Sequence, residues 1–378
     1  MRGAPLPSTA DVVVIGGGVM GTSILFHLAE AGVTDAVLVE RGQLGSGSSS
    51  KAAGGVRTQF SDELNVLLAQ RSLAAFEDFG RRPGWEIDLK QVGYLFLLTR
   101  EEDVRHFEAG VELQNGLGVP SRMLTPAEAA HVCPPADPNG MLAAAFCPTD
   151  GHLTPEAVVA GYAFAARGLG AHIETRCEVT GLRPGVVQTD HGDIRTGTVI
   201  CAAGAWSAAV GEMAGVHLPV TPMRRQIVFT EPIDGLPDEL PMTIDFASSF
   251  YFHREGPGLL IGMSYAGQEP GFSTEQTDDW LPDLQAALQR VAPSVAGAGI
   301  KGGWGGLYEV SPDHNALIGR AGDFLYATGF SGHGFLQAPA VGEVVRDLFL
   351  GREPFADVGP FSAERFGAGR ERPERNVV

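Results

Sequence analysis

Gly16, Gly18 and Gly21 stand in the spacing G-x-G-x-x-G, and the acidic residue Glu40 follows 24 residues after the first of them. Glycines in this spacing allow a tight turn and let the backbone approach a pyrophosphate. An acid at this distance accepts a hydrogen bond from a ribose hydroxyl. These residue types in this order predict a dinucleotide-binding site.

The residues around this turn have the pattern of the elements that must position it. The apolar run Val12–Ile15 before the turn is typical of a strand buried on both faces. The predicted helix after the turn presents its first amides, and the positive end of its dipole, to the phosphates. A second apolar run ends at Glu40, so we interpret residues 10–41 as one strand–helix–strand unit.

A long loop of small residues, 42–61, follows this unit directly. Loops of this length inside a compact domain are usually either functional or mobile. The serines and backbone amides of the loop are suited to wrapping a diphosphate, and the alternative is a flexible linker. We favour ligand binding because the loop comes immediately after a nucleotide-binding unit.

Two later segments, 198–207 and 324–350, again show a buried strand followed by a glycine turn. Between them, residues 220–266 alternate apolar and polar side chains, which is typical of an antiparallel sheet. The order α/β, antiparallel β and α/β predicts a nucleotide-binding domain assembled from separate parts of the chain. Insertions would then form a second domain.

Composition and charge argue against several classes of function. A formal net charge of −18 disfavours nucleic acid as a partner. The sequence contains no run of 18 apolar residues, so we predict no membrane span. The first residues lack the apolar core of a secretory signal. The four cysteines and ten histidines show no metal-binding spacing, so we predict no metal site and a cytoplasmic location with free thiols. We interpret the basic pair Arg224-Arg225 and the tail around 370–375 as solvated surface.

Five motifs are spread over nearly the whole chain: GGGVMG, GSGSSSKAAGGVR, CAAGAWS, LYEVSPDHNALIG and TGFSGHGFLQAPAVGE. Together they resemble the FAD-dependent D-amino-acid oxidase superfamily. Within it, the chain is most similar to the branch of the sarcosine oxidases and the β subunits of dye-linked L-proline dehydrogenases.

The resemblance implies an α/β FAD-binding domain of the GxGxxG type, discontinuous in sequence, and an α+β substrate domain built on a large antiparallel sheet. We assign residues 1–85, 146–221 and 303–378 to the first domain, and residues 86–145 and 222–302 to the second. The implied cofactor is FAD rather than NAD. The second glycine-rich turn near the C-terminus favours the same choice, because an isoalloxazine needs amides and a helix dipole near the end that gains charge on reduction.

The residues predicted to contact FAD lie in the first unit, the small-residue loop, the later glycine turns and a few positions between them. They are Gly16, Gly18, Val19, Met20, Gly21, Glu40, Arg41, Ser48, Ser49, Ala53, Gly54, Gly55, Val179, Ala203, Gly204, Trp206, Gly305, Gly329, Ser331, Gly332, His333, Gly334, Phe335 and Leu336.

Five residues are candidates for the chemistry. The resemblance places Arg57 and His333 beside the flavin, and the alternatives are a surface arginine and a core histidine satisfied by backbone. It also places an active-site tyrosine at Tyr308. Tyr251 and His253 lie on the predicted substrate sheet, where strand alternation puts both on one face.

Three positions depart from the family pattern. Gly306 stands where monomeric sarcosine oxidase has the cysteine that binds FAD covalently, so we predict a non-covalent cofactor. Leu336 replaces a lysine that helps to hold a substrate carboxylate. This indicates a larger or more apolar substrate, or a carboxylate held by Arg254 or Arg57. Leu260 stands at about the position of an oxygen-activating lysine, which favours slow reaction with oxygen.

The resemblance implies an FAD-dependent enzyme that oxidises the C–N bond of an amine or N-substituted amino acid to an imine, which hydrolyses to an aldehyde or keto acid. One alternative is the flavin subunit of a multi-subunit amine or proline dehydrogenase that passes electrons to a partner. Another is an amino-acid oxidase of a biosynthetic pathway that releases hydrogen peroxide. The electron acceptor is accordingly oxygen or a redox partner subunit.

Overall fold

The computed structural model describes residues 5–377. Its strands are β1 (Thr9–Ile15), β2 (Ala36–Glu40), β3 (Gly55–Val56), β4 (Tyr94–Leu98), β5 (Arg122–Leu124), β6 (Ala143–Cys147), β7 (Gly151–His152), β8 (His172–Thr175), β9 (Val179–Arg183), β10 (Val186–Thr189), β11 (Gly192–Cys201), β12 (Thr221–Thr230), β13 (Met242–Asp245), β14 (Phe250–Glu255), β15 (Gly258–Met263), β16 (Ile300–Val310), β17 (Leu317–Ala321) and β18 (Phe324–Thr328). Its helices are α1 (Val19–Glu30), α2 (Glu63–Glu77), α3 (Glu101–Gly116), α4 (Pro126–Val132), α5 (Pro155–Gly168), α6 (Ser207–Met213), α7 (Leu281–Val291) and α8 (Gly334–Leu350).

The first sheet is built around β1, which lies between β11 and β2 and runs parallel to both. Strands β18 and β8 extend it in parallel, β17 closes one edge in the antiparallel sense, and β9 and β10 join it beside β11. Val12, Val13 and Val14 are completely buried, as expected for a central parallel strand with both faces covered. Helix α1 packs against α5 and α8. The predicted α/β part of the fold is confirmed.

The second sheet has the order β16-β12-β15-β14-β13-β4-β6-β5, and every neighbouring pair is antiparallel except β13 and β4. Alternate side chains of its strands, including Leu95, Phe250 and Ile261, form a core of their own with residues of α7. The predicted large antiparallel sheet is therefore present.

The domain boundaries themselves stay a prediction. Strand β16 belongs to the second sheet, although the sequence-based division assigns residues 303–310 to the FAD-binding domain. It pairs with β12 along its whole length, from Thr221 opposite Val310 to Thr230 opposite Ile300. Within residues 5–377, no helix is both long enough and apolar enough to cross a bilayer.

Candidate active site

A cavity of about 650 Å³ lies where the two sheets approach each other. The first sheet contributes the carboxyl ends of β1, β2 and β18, and the second contributes side chains of β12, β13, β14 and β16. In open α/β sheets, ligands bind outside the carboxyl ends of the strands. The cavity therefore joins a nucleotide-type site to the face of an antiparallel sheet.

The glycine turn before α1 forms one end of this cavity. Gly16 has a φ of +112°, and a β-carbon there would lie 2.3 Å from the carbonyl oxygen of Ala202, so only glycine fits. The Glu40 carboxylate accepts hydrogen bonds from the amides of Gly17 and Gly42, each at 2.7 Å. These two bonds hold the acid beside the turn.

The small-residue loop, 42–61, is fixed to both halves of the molecule. The hydroxyl of Ser49 accepts a hydrogen bond from the Val19 amide at 2.9 Å, at the start of α1. The hydroxyl of Ser48 donates to the Leu307 carbonyl at 2.6 Å, on β16. The loop thus lies between the glycine turn and the second sheet as part of the cavity wall.

Most of the residues predicted to contact FAD line the cavity. They are Gly16, Gly18, Val19, Met20, Glu40, Arg41, Ser48, Ser49, Ala53, Gly54, Gly55, Val179, Ala203, Gly204, Trp206, Ser331, Gly332, His333, Gly334, Phe335 and Leu336.

Gly21, Gly305 and Gly329 are not among the lining residues. A β-carbon at Gly21 would lie 1.9 Å from the carbonyl oxygen of Gly16, so this glycine serves the packing of α1 on the turn. One at Gly305 would lie 2.7 Å from the carbonyl oxygen of Thr274. Gly329 has a φ of +68° in the turn after β18. These three contribute to backbone packing and turns rather than to the cavity surface.

Arg57 is buried in the wall of the cavity, with 4% of its surface exposed. Its guanidinium donates to the carbonyl oxygens of Gln59 and Asn376, and it lies over the ring of Phe60 at 4.1 Å. The alternative of a surface arginine is therefore wrong. Because backbone carbonyls already accept from it, Arg57 is held as a fixed positive charge.

His333 lies directly against this charge. Its Nε2 atom is 3.1 Å from Nη2 of Arg57. A guanidinium only donates, so Nε2 accepts and the neutral ring carries its hydrogen on Nδ1. Burial, together with the charge of Arg57, holds the pKa of His333 well below its ordinary value. The ring is consequently neutral at physiological pH.

Three tyrosines, Tyr94, Tyr251 and Tyr308, also line the cavity. Burial raises the pKa of each phenol above its ordinary value. All three therefore present neutral hydroxyl groups, which can donate or accept hydrogen bonds.

His253 does not line the cavity, although it lies on β14 two residues from Tyr251. Its ring nitrogens lie 2.8 Å from the carbonyl oxygen of Arg254 and 3.0 Å from that of Ala53. Burial lowers the pKa of His253 to about 4, so the ring is neutral and donates to only one of these carbonyls. His253 therefore contacts the cavity-lining residue Ala53 instead of the cavity itself, and the role of each of these two residues stays a prediction.

Glu309 is a cavity residue that lies within the motif LYEVSPDHNALIG but is not among the predicted site residues. Its Oε2 accepts a hydrogen bond from the Thr328 hydroxyl at 2.8 Å. Burial raises the pKa of Glu309 to about 7, against the opposing effect of hydrogen bonds from Thr328 and from the amides of Gly329 and Phe330. This carboxyl group is thus poised between its two protonation states near neutral pH.

The sequence analysis also did not predict several other residues that line the cavity. They lie on strands of the second sheet or in polar segments that are usually exposed to solvent. They include Lys51, Tyr94, Arg225, Ile227, Met242 and Ile244. Arg225 corrects the interpretation of the basic pair as solvated surface, since it is half-buried and faces the cavity. Arg225 and Ile227 are two residues apart on one strand, and this period-two spacing is the sequence signal that puts both side chains on the same face.

The positions that depart from the family pattern have different surroundings. A β-carbon at Gly306 would lie 2.6 Å from Cβ of Lys51, so the covalent-link cysteine has no room there. Leu336 lines the cavity, whereas Leu260 is buried away from it. Arg254 donates to the carbonyl oxygens of residues 236 and 237, at 2.9 and 2.8 Å, and does not line the cavity.

The cavity fits a dinucleotide cofactor that carries a redox ring. The N-termini of α1 and α8 both reach its wall, and each supplies the positive end of a helix dipole to a phosphate or to a ring that becomes anionic. The Glu40 carboxylate is suited to a ribose hydroxyl. Fold and site together define a flavin-dependent oxidoreductase with a substrate pocket on an antiparallel sheet.

The chain belongs to the family of FAD-dependent oxidoreductases, whose pattern it matches over residues 11–348. FAD is therefore its cofactor, and the predicted superfamily is confirmed.

Several amine and amino-acid oxidoreductases are similar to the chain over nearly its whole length. Human mitochondrial sarcosine dehydrogenase is 32% identical over 96% of the chain, and glycine oxidase of Geobacillus kaustophilus is 31% identical over 94%. The crystal structure of L-proline dehydrogenase from P. horikoshii superimposes with a TM-score of 0.91 at 34% identity, covering 97% of this chain and 100% of that one.

The relatives differ in how much of their own length this chain spans. It covers 97% of the glycine oxidase but 42% of the human sarcosine dehydrogenase.

Proposed function

We propose that this chain oxidises the C–N bond of an amine or N-substituted amino acid to an imine, which water hydrolyses to an aldehyde or keto acid. The substrate loses two electrons and a hydrogen from a carbon bonded to its nitrogen, and bound FAD is the two-electron acceptor. A primary or secondary amine also loses its N–H proton and becomes an imine, whereas a tertiary amine becomes an iminium ion. The supporting observation is a single cavity that joins the nucleotide cradle around Glu40 to a pocket containing Arg57, His333 and three tyrosines.

The residues of this pocket favour the unprotonated amine that the reaction requires. Arg57 and Arg225 place two positive charges on the cavity wall, and both disfavour an ammonium ion. Met242 and Ile244 add apolar surface that excludes water. Neutral phenols, such as that of Tyr251, are suited to orienting the amine by hydrogen bonds.

The relatives supply the compounds with which to begin. Their names refer to sarcosine, dimethylglycine, glycine and L-proline. All four are amino acids, in which a carboxylate is attached to a carbon next to the amine nitrogen. We propose that the substrate belongs to this class.

The test is the absorption spectrum of the FAD-loaded protein, mixed under nitrogen with each of these amino acids. Bleaching of the flavin band by at least one of them is the expected result. Stopped-flow measurement of the bleaching then gives the rate of reduction and the apparent Kd of that compound. A loaded protein whose flavin band is unchanged by secondary amines and amino acids would contradict the proposal.

A second proposal concerns the electron acceptor: a redox partner subunit in place of oxygen. Leu260, at about the position of the family's oxygen-activating lysine, supports it, because it is buried and offers no charge to the cavity. Admission of air to the reduced protein separates the two. Rapid recovery of the flavin band with release of hydrogen peroxide indicates an oxidase, and a band that stays bleached indicates a dehydrogenase.

We also propose a cytoplasmic location. All four cysteines are buried and free, which is typical of a reducing compartment.

A further inference from the structure

Arg225 lies on β12, on the face that is turned to the cavity. It alternates with Ile227, and both residues line the cavity wall. The residue opposite Arg225 on β16 is Gly306, so the position directly across the strand pair carries no side chain. The sheet therefore leaves a half-buried cation facing the space beside the tyrosines.

The guanidinium of Arg225 has few partners within the protein. Its Nη1 donates to the carbonyl oxygen of Arg224 at 3.1 Å, and its Nε is buried without a hydrogen-bond partner. No salt bridge to it is found within residues 5–377. By contrast, the buried Arg365 is paired with the carboxylate of Asp313 at 2.7 Å. Within residues 5–377 its Nη2 atom also makes no hydrogen bond, so a bound anion would accept from a donor that the protein leaves free.

The surroundings of Arg225 suit a carboxylate. Its guanidinium carbon lies 5.2 Å from the centre of the Tyr308 ring. Its positive charge also acts on the phenol of Tyr251. A carboxylate bound here would receive charge-assisted hydrogen bonds from the guanidinium and further hydrogen bonds from neutral phenols.

The other residues that the sequence relates to a substrate carboxylate have different surroundings. Arg57 is already held by backbone carbonyl oxygens, Arg254 lies away from the cavity, and Leu336 has no charge. Arg225 combines exposure to the cavity with an unused donor, which none of these three shows.

We infer that Arg225 binds the carboxylate of the substrate and so restricts the enzyme to amino acids rather than simple amines. This inference rests on the proposed C–N oxidation, because that reaction defines the substrate. The binding itself is nevertheless measurable without turnover.

The experiment uses the FAD-loaded protein and two compounds that differ by one carboxylate, pyrrole-2-carboxylate and pyrrole. Both lack the saturated C–N bond that would be oxidised, and binding is followed by the change in the flavin absorption spectrum. The variants are Arg225→Gln and Arg225→Lys. Arg183→Gln is the matched control, because Arg183 is exposed on β9 and does not line the cavity.

For Arg225→Gln we expect the Kd of pyrrole-2-carboxylate to rise at least about tenfold, because a charge-assisted pair is lost. The Kd of pyrrole should change by less than about twofold. Arg225→Lys should recover part of the loss, since lysine restores the charge but not the planar fork of donors. Arg183→Gln should bind both compounds like the original protein.

A Kd for pyrrole-2-carboxylate that is the same in Arg225→Gln as in the original protein overturns the inference. If Arg225→Gln does not fold or retain FAD, the original protein still decides, because equal affinity for the two compounds also overturns it. Failure of the proposed reaction looks different: amino acids leave the flavin oxidised, while pyrrole-2-carboxylate binding still depends on Arg225.

Discussion

Arg57 is a buried cation whose donors are largely occupied by the protein itself. Two backbone carbonyl oxygens and the Nε2 atom of His333 surround the guanidinium, and the ring of Phe60 lies beneath it. Side chains held in this way provide a preorganised charge at no cost during the reaction. Arg57 is accordingly suited to stabilising negative charge that develops nearby.

We predict that Arg57→Met retains FAD but slows flavin reduction by the best amino-acid substrate about 10- to 100-fold. FAD is retained because the variant leaves the glycine turn and Glu40 intact, and the rate falls because the fixed charge is lost. Stopped-flow reduction under nitrogen measures the rate. Arg183→Met is the control, and an unchanged rate in Arg57→Met would assign the residue a purely structural role.

Glu309 makes the stability of the FAD-free protein depend on pH. The pKa of this group is about 7 in the folded chain and 4.5 ordinarily. Between these values the folded state binds more protons than the unfolded state, so the contribution of Glu309 to stability is lost as the pH rises from about 4.5 to 7.

Glu309→Gln should therefore reduce the fall in Tm between pH 5 and pH 8 by a few degrees, because the amide does not ionise. Thermal unfolding followed by circular dichroism at several pH values checks this. The exposed residue Glu255 provides the matched variant, Glu255→Gln, which should keep the original slope. A slope that is the same in Glu309→Gln would contradict the shifted pKa.

At the scale of elements, the segment 372–376 closes over the start of α2 and the end of the small-residue loop. Glu374 is buried and accepts hydrogen bonds from the amides of Ser61 and Asp62 and from Nδ2 of Asn65. Asn376 accepts a hydrogen bond from Arg57 through its carbonyl oxygen. This segment thus fixes the backbone that carries Arg57.

Glu374→Ala should lower the free energy of unfolding by about 2 kcal/mol or more, because several buried donors lose a charged acceptor. We also expect slower flavin reduction, since Arg57 is less firmly held. Urea unfolding and stopped-flow reduction measure the two effects. Glu371→Ala, at the exposed position just before this segment, should change neither. Equal stability of both variants would show that the segment does not anchor the site.

Some elements could be predicted from the sequence because their signals are local. The strand before Gly16, the helix after it and the acid at Glu40 lie within one short segment and follow a known periodicity. Strand β16 gave no such signal, since its sequence contains four glycines, which have low strand propensity. Its pairing with β12 explains them in part: a β-carbon at Gly303 would lie 2.2 Å from the carbonyl oxygen of Ile227.

Other site residues were missed because long-range register decides where they lie. Tyr94 reaches the cavity because β4 pairs with β13, which puts Tyr94 opposite Met242. Arg225 reaches it because β12 turns one face to the first sheet. A basic pair in a sequence is usually solvated, and only the fold distinguishes Arg225 from its neighbour Arg224.

At the scale of the whole molecule, both sheets line one cavity, so FAD bound there would contact both. Binding of FAD to the folded state alone stabilises it, by about 2.7 kcal/mol at a free concentration one hundred times the Kd. Because β12 and β16 of the second sheet line the same cavity as the glycine turn, FAD should slow amide hydrogen exchange in both sheets.

Gly18→Val should abolish these effects. Gly18 lines the cavity, and a β-carbon there would already lie 3.2 Å from Oγ of Ser49, so a valine side chain intrudes on the pyrophosphate site. The measurement is the rise in Tm, and the slowing of exchange, on addition of FAD to the FAD-free protein. Gly197→Val, at an exposed position of β11, is the control and should respond like the original protein. A yellow, fully loaded Gly18→Val protein would disprove the assignment.

The cavity wall has a consequence for biosynthesis. Its lining begins with Ile15 and ends with Leu336, so the binding site includes residues made early and residues made late. A nascent chain on the ribosome can form the first strand–helix–strand unit, but it lacks the wall contributed by α8 until residue 336 has emerged. Flavin uptake is consequently a late event that follows translation of this part of the chain, and the early unit must remain folded, or refoldable, without its ligand in the meantime.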